Sequence, residues 1–114
     1  MVDDEETSQQ LFSIMIRPFA SNYFQATNGH EAVEVCRQNP NINLILMDIN
    51  MPIMSGYEAT RQIRKFNKEV VIIAQTAYAL SEDHEKAIKA GCNNYISKPI
   101  DHLELIGLIN QYLS

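Results

Sequence analysis

The sequence contains no tryptophan, only two cysteines, and just four glycines and four prolines. Each shortage removes a class of protein. Cys36 and Cys92 have no further Cys or His at ligand spacing, so a zinc site is excluded. Small core side chains or free thiols are the reading, and nothing demands an oxidising compartment. The glycines, at 29, 56, 91 and 107, are scattered, so no Gly-rich loop cradles a nucleotide phosphate. The longest apolar runs, Leu44 to Met47 and Val70 to Ala74, fall far short of the ~20 residues of a membrane helix. No basic-then-apolar segment opens the chain. Basic residues are also short: 9 Lys and Arg face 14 Asp and Glu, for a net charge of −5. That sign disfavours direct nucleic-acid binding and attraction to anionic lipid.

What is present is ordinary globular material. The 114 residues are 46% hydrophobic and 20% charged. One domain spanning 1–114 is expected, soluble and cytoplasmic, able to remove roughly 60–70% of its unfolded surface from water.

Strand and helix patterns alternate along the chain. The acidic run Asp3-Asp4-Glu5-Glu6 follows Met1-Val2, and Leu11, Ile14, Met15 and Phe19 then recur at helical spacing until Pro18 disturbs the last turn. Tyr23 to Ala26 reads as a short strand. Asn28 with Glu31 resembles a capping box for a helix carrying Ala32, Val33 and Cys36. Leu44 to Met47 is a strand buried on both faces, ending at Asp48. Ser55 and Glu58 cap a helix through about Lys65, with Tyr57, Thr60 and Ile63 inward. Val70 to Ala74 is a second doubly buried strand, ending at Gln75-Thr76. Ser81 opens a helix that Gly91 closes. Asn94 to Ser97 is a strand running into Lys98-Pro99. Asp101 and Glu104 cap a last helix with Leu103, Ile106, Ile109 and Leu113 at helical spacing. This alternation predicts a doubly wound α/β fold: a five-stranded parallel sheet with helices on both faces, in the flavodoxin-like order 2-1-3-4-5.

In such a sheet, sites form beyond the carboxyl ends of the strands. Asp3 and Asp4 follow the first strand, Asp48 ends the third, Thr76 the fourth and Lys98 the fifth. Carboxylates gathered there repel one another, and a hard divalent cation relieves the repulsion. Mg²⁺ suits such oxygen donors and keeps an open side for a phosphate. A carboxylate can also be a nucleophile that forms an aspartyl-phosphate. Phosphoryl transfer then needs neutralisation of the equatorial oxygens, which Mg²⁺, the Lys98 ammonium and the Thr76 hydroxyl could provide.

These residues resemble the receiver domain of two-component response regulators. The resemblance rests on Val2-Asp3-Asp4-Glu5, on Leu46 through Ala59 with Met47-Asp48-Ile49-Asn50-Met51-Pro52 and Ser55-Gly56-Tyr57-Glu58, on Thr76-Ala77, on Ala90-Gly91, and on Tyr95-Ile96-Ser97-Lys98-Pro99. The separations are 44 residues from Asp4 to Asp48, 28 to Thr76 and 22 to Lys98, and the order and spacing together are specific.

The resemblance implies that Asp48 accepts a phosphoryl group from a phosphohistidine on a histidine kinase or histidine phosphotransfer protein. It implies Mg²⁺ held by Asp3, Asp4, Asp48 and the backbone carbonyl of Asn50, with Lys98 pairing the phosphoryl group. Thr76 and Tyr95 would be the switch, acting on the face of the fourth helix, fifth strand and fifth helix, through which a homodimer is also open to the chain. Asn50 and Tyr78 would tune the phosphoryl lifetime, and the Lys98–Pro99 bond would be cis. Such a domain is an acceptor with slow autodephosphorylation, not an enzyme in its own right. The wording around Asp48 looks closer to receivers of hybrid sensor histidine kinases.

Three other functions fit the residues less well. An aspartate-nucleophile phosphohydrolase would want a carboxylate at position 50, where Asn stands. A flavin-binding electron carrier would want a Ser/Thr/Gly-rich loop where Asp-Asp-Glu-Glu stands. A phosphorylation-independent interaction module would not need the joint set Asp4, Asp48, Thr76 and Lys98. Blander readings attach to single residues: Asp48 as a loop cap, Thr76 as a β-former, Lys98 as a surface cation, Glu5 and Glu6 as helix-dipole partners. His30, His84 and His102 read as solvated helix residues. One departure from the family is expected to matter: only Met1 and Val2 precede Asp3, which predicts a shortened first strand and reduced stability.

Overall fold

The computed structural model describes residues 26, 28–49, 54–76, 81–97 and 101–113. The first-strand and first-helix readings, including the shortened strand, lie outside them. Within them the order is α1 (Gly29–Gln38), β1 (Leu44–Asp48), α2 (Gly56–Phe66), β2 (Val71–Thr76), α3 (Ser81–Ala90), β3 (Asn94–Ser97) and α4 (His102–Leu113). Ala26 alone of the expected second strand is described, and it sits in a β-bridge.

The strands are parallel and ordered β1-β2-β3, as the third, fourth and fifth strands of the expected sheet would be. Leu44 pairs with Val71 and Asp48 with Gln75; Ile73 pairs with Asn94 and Thr76 with Ser97. Side chains alternate between the two faces of a strand, and the core divides accordingly. On one face Ile45, Met47, Ile72 and Ala74 pack with Val33 and Cys36 of α1, Ala59 and Ile63 of α2 and Ala87 of α3. On the other, Leu46, Ile73 and Ile96 pack with Leu105 and Ile109 of α4. Burial on both faces explains why β1 and β2 read as unbroken apolar runs.

The helix starts follow their sequence signals. Asn28 Oδ1 accepts from Glu31 N at 2.9 Å, and Ser55 Oγ from Glu58 N at 3.3 Å. Asp101 Oδ1 accepts from Leu103 N at 2.8 Å and Glu104 N at 3.3 Å. Each cap satisfies donors that the first turn leaves open, worth about 1 kcal/mol. The α4 stripe needs correcting. Leu105 and Ile109 face the sheet, whereas Leu103 is 82% exposed. Both spacings are helical and share Ile109, so periodicity alone could not choose between them. Tyr57 is half-buried, packed against the core from its edge.

Arg64 fastens the end of the sheet remote from the strand carboxyl termini. Its guanidinium donates to Gly91 O (2.9 Å), Val70 O (2.7 Å), Asn67 O (3.3 Å) and Asn93 Oδ1 (2.8 Å). Asn93 Oδ1 also accepts from Ile72 N, and Asn93 N donates to Ile72 O. One half-buried cation thus ties α2, the start of β2 and the turn between α3 and β3. Burial pulls its proton affinity below the ordinary guanidinium value. Gly91 makes that turn with φ of 116°, a region costly for other L-residues.

Candidate functional site

Two described candidates stand at the carboxyl ends of the strands, and a third lies within β3. Asp48 is the last residue of β1 and fully buried; Thr76 is the last residue of β2 and 3% exposed. Tyr95 lies in β3 and is half-buried. Asp3, Asp4, Asn50, Tyr78, Lys98 and Pro99 lie outside the described residues, and so does any geometry among them.

The strand register sorts the three onto different faces. Asp48 follows Leu46 by two positions, on the α4 side of the sheet. Thr76 follows Ala74 by two, on the side of α1, α2 and α3. Tyr95 pairs with Ala74 and packs against that same cluster, while Ser97 pairs with Thr76. Tyr95 is therefore the diagonal neighbour of Thr76 on a shared face, within reach of a long aromatic side chain. Asp48 leaves the opposite face of the sheet, at the same rim where β2 ends in Thr76.

The backbone around Asp48 is held on two sides. Ile49 N donates to Gln75 O at 3.1 Å, continuing the ladder one residue past β1. Gly56 N donates to Ile49 O at 3.1 Å, folding the start of α2 onto the same turn. A Cβ on Gly56 would run into Asp48 O and come within 2.9 Å of Ile49 Cα. Only a residue without a side chain fits there. Gly29, at the start of α1, is similarly pressed against Met54, whose Cβ and O would lie 2.9 Å from an added Cβ. Gly56 stood in the sequence motif, but its reason is visible only in three dimensions.

Gln75 received no role from the sequence. It is fully buried in β2, directly opposite Asp48. The available signal was a carboxamide interrupting the run Val70 to Ala74 just before Thr76.

For a metal, the described part of the rim supplies one suitable donor, the Asp48 carboxylate. Among the described residues no group of three or more His, Cys, Asp or Glu could hold an ion. Carboxylate oxygen is the donor type Mg²⁺ prefers, so the chemistry fits, with the other expected ligands outside the described residues. The two thiols contribute nothing at this rim. Cys36 is buried in the core, and burial pushes its pKa up to about 11. Cys92 is raised by burial too, and lies 3.7 Å from the Thr60 hydroxyl.

Residues 1–110 match the response regulator receiver domain. The chain belongs to that family. The polar-differentiation response regulator DivK of Brucella anthropi is 36% identical over 115 residues, covering 99% of this receiver domain and 93% of DivK. An uncharacterised 14.6 kDa protein of Leptolyngbya boryana is also 36% identical, over 98% of this chain and 86% of its own. A Saccharomyces cerevisiae co-crystal of the histidine phosphotransfer protein Ypd1 with the receiver domain of Ssk1 contains a chain that matches at a TM-score of 0.91. That match is 33% identical and covers 97% of this chain and 84% of the other. Vibrio cholerae CheY4 matches at a TM-score of 0.90 and 24% identity, covering 98% and 94%, a likeness of fold. This receiver domain therefore has the flavodoxin-like α/β fold with a parallel sheet, and its place is in two-component signalling. Among the described residues no helix is long and apolar enough to cross a membrane.

Proposed function

We propose that this receiver domain is a phospho-acceptor, and that Asp48 is the residue phosphorylated. The observation that carries the reading is the buried Asp48 carboxylate at the carboxyl end of a parallel strand, beside a neighbouring strand that ends in buried Thr76. A carboxylate oxygen of Asp48 attacks phosphorus on a donor phosphohistidine. An O–P bond forms and the P–N bond breaks. Its electron pair returns to the imidazole nitrogen, and the donor ring, already protonated on its other nitrogen, leaves as neutral imidazole. Asp3, Asp4, Asp48 and the Asn50 carbonyl would hold Mg²⁺, which when bound neutralises phosphoryl oxygen charge. Lys98 pairs with another oxygen and Thr76 donates its hydroxyl to a third.

A histidine phosphotransfer protein or histidine kinase is the expected donor, a reading the match to the Ypd1–Ssk1 co-crystal supports. The shared face of Thr76 and Tyr95 supports the proposed switch: movement of the hydroxyl toward a new phosphoryl group would free or fill space beside the ring. The surface it biases is that of α3, β3 and α4. Two exposed apolar side chains belong to these helices, Ile88 in α3 (46% exposed) and Leu103 in α4 (82% exposed), and both are suited to a partner contact. Asn50 and Tyr78 remain the residues proposed to tune phosphoryl lifetime.

The test is incubation with Mg²⁺ and acetyl phosphate, followed by intact mass. One phosphoryl group is added, and Asp48→Ala abolishes it. No adduct at any Mg²⁺ concentration would replace this reading with a phosphorylation-independent interaction module. Rapid multiple-turnover release of phosphate from simple monoesters would replace it with a hydrolase.

A further inference from the structure

Across the end of the sheet three side chains stand in one row on the α4 side: Asp48 in β1, Gln75 in β2 and Ile96 in β3. Strands lie ~4.8 Å apart, so row neighbours are in lateral contact range. Ile73 lies beneath Gln75 on the same strand and face. Of these three neighbours only Asp48 is polar. Gln75 has no measurable exposure, and a carboxamide so buried is costly unless it faces polar groups. An apolar residue would continue the layer of Leu46, Ile73 and Ile96 with no such cost. A polar side chain at position 75 thus borders the acceptor side of the row, where an apolar one would only extend the core.

We infer that Gln75 is a positioning residue for Asp48, an inference that rests on the phospho-acceptor reading. Its carboxamide is the neutral polar wall against which the reacting carboxylate is oriented, between that carboxylate and the apolar side chain of Ile96. A neutral dipole suits this place better than a charge. It can align an anion and its counter-charges without adding repulsion to a site that must accept a phosphoryl group. A shift of the carboxylate by a fraction of an ångström away from the line of attack is enough to slow transfer strongly.

The test uses Gln75→Met, which keeps the side chain's volume and removes the amide, and Gln75→Asn, which keeps the amide on a shorter stem. Each is followed by thermal melting and by the rate of phosphoryl incorporation from acetyl phosphate with Mg²⁺. The expected result is Q75M melting at or above the wild-type midpoint while incorporating roughly tenfold or more slowly, with Q75N recovering part of the rate. Stability and rate then move in opposite directions, which a merely structural role would not produce. Q75M incorporating at the wild-type rate would overturn the inference and leave Asp48 as acceptor. So would losses in both variants that simply follow their melting points. A wild-type chain that takes up no phosphoryl group would instead overturn the acceptor reading itself.

Discussion

Gly56→Ala is a change of one methyl group, and the structure assigns it an unusually large effect. The added Cβ would meet three backbone atoms at once: Asp48 O, Ile49 Cα at 2.9 Å and Asp48 C at 3.0 Å. No flexible side chain is present to swing away, so either β1's end or the first turn of α2 must shift. Overpacking of this kind costs about 1–3 kcal/mol. Separation of the two segments also weakens the bond from Gly56 N to Ile49 O, worth roughly 0.5–1.5 kcal/mol. Against these stands the helical preference of Ala over Gly, up to about 1 kcal/mol. The balance is a loss of about 2 kcal/mol, which in a domain of this size lowers the melting midpoint by roughly 8 °C. Gly107→Ala is the matched control. It lies in α4 with nothing within 4 Å of an added Cβ, so only the helical preference remains, and its midpoint should rise by roughly 2–4 °C. Thermal melting by far-ultraviolet circular dichroism reads both. A G56A midpoint within about 2 °C of wild type would refute the steric argument, as would a fall in G107A.

Two further outcomes are expected. Arg64→Met removes the donor for three carbonyls and the Asn93 side chain, and should cost about 3 kcal/mol in urea unfolding, with Arg64→Lys intermediate; equal midpoints for wild type and R64M would contradict the fastening role. Cys36 has its folded-state pKa raised from 9.0 to about 11, so the neutral thiol's contribution is complete below pH 9 and is lost as pH climbs toward 11. Urea midpoints should therefore fall across that window more in wild type than in Cys36→Ala, and parallel curves would show that the thiol is not involved.

Much of this domain was legible because its signals are local. Capping by Asn28, Ser55 and Asp101 is written within three residues of each helix start, and all three caps are present. The runs at 44–47 and 70–74 are short and flanked by turn residues, so they read as strands covered on both faces, and β1 at Leu44–Asp48 and β2 at Val71–Thr76 match them closely. The placement of Asp48 and Thr76 at strand ends follows from those runs. Leu103 is the exception, because two helical stripes through Ile109 are equally periodic and only the sheet decides which is buried. The contact of Gly56 with the Asp48 backbone was invisible because it depends on how α2 folds back. Gln75 carries no local signal of a role, because a single polar residue at the end of an apolar run resembles a strand terminus. Its meaning depends on which residue stands opposite.

The division of the core by the sheet has a consequence for how such a domain can change. The cluster holding Ile63 and the cluster holding Ile109 share no residue, and the strands stand between them. Substitutions on opposite sides should therefore be nearly additive, within about 0.5 kcal/mol for pairs such as Ile63→Val with Ile109→Val. Mutational drift in the α4 layer need not be compensated in the α1–α3 layer. One half of the molecule can diversify, or be redesigned, while the other keeps its packing unchanged.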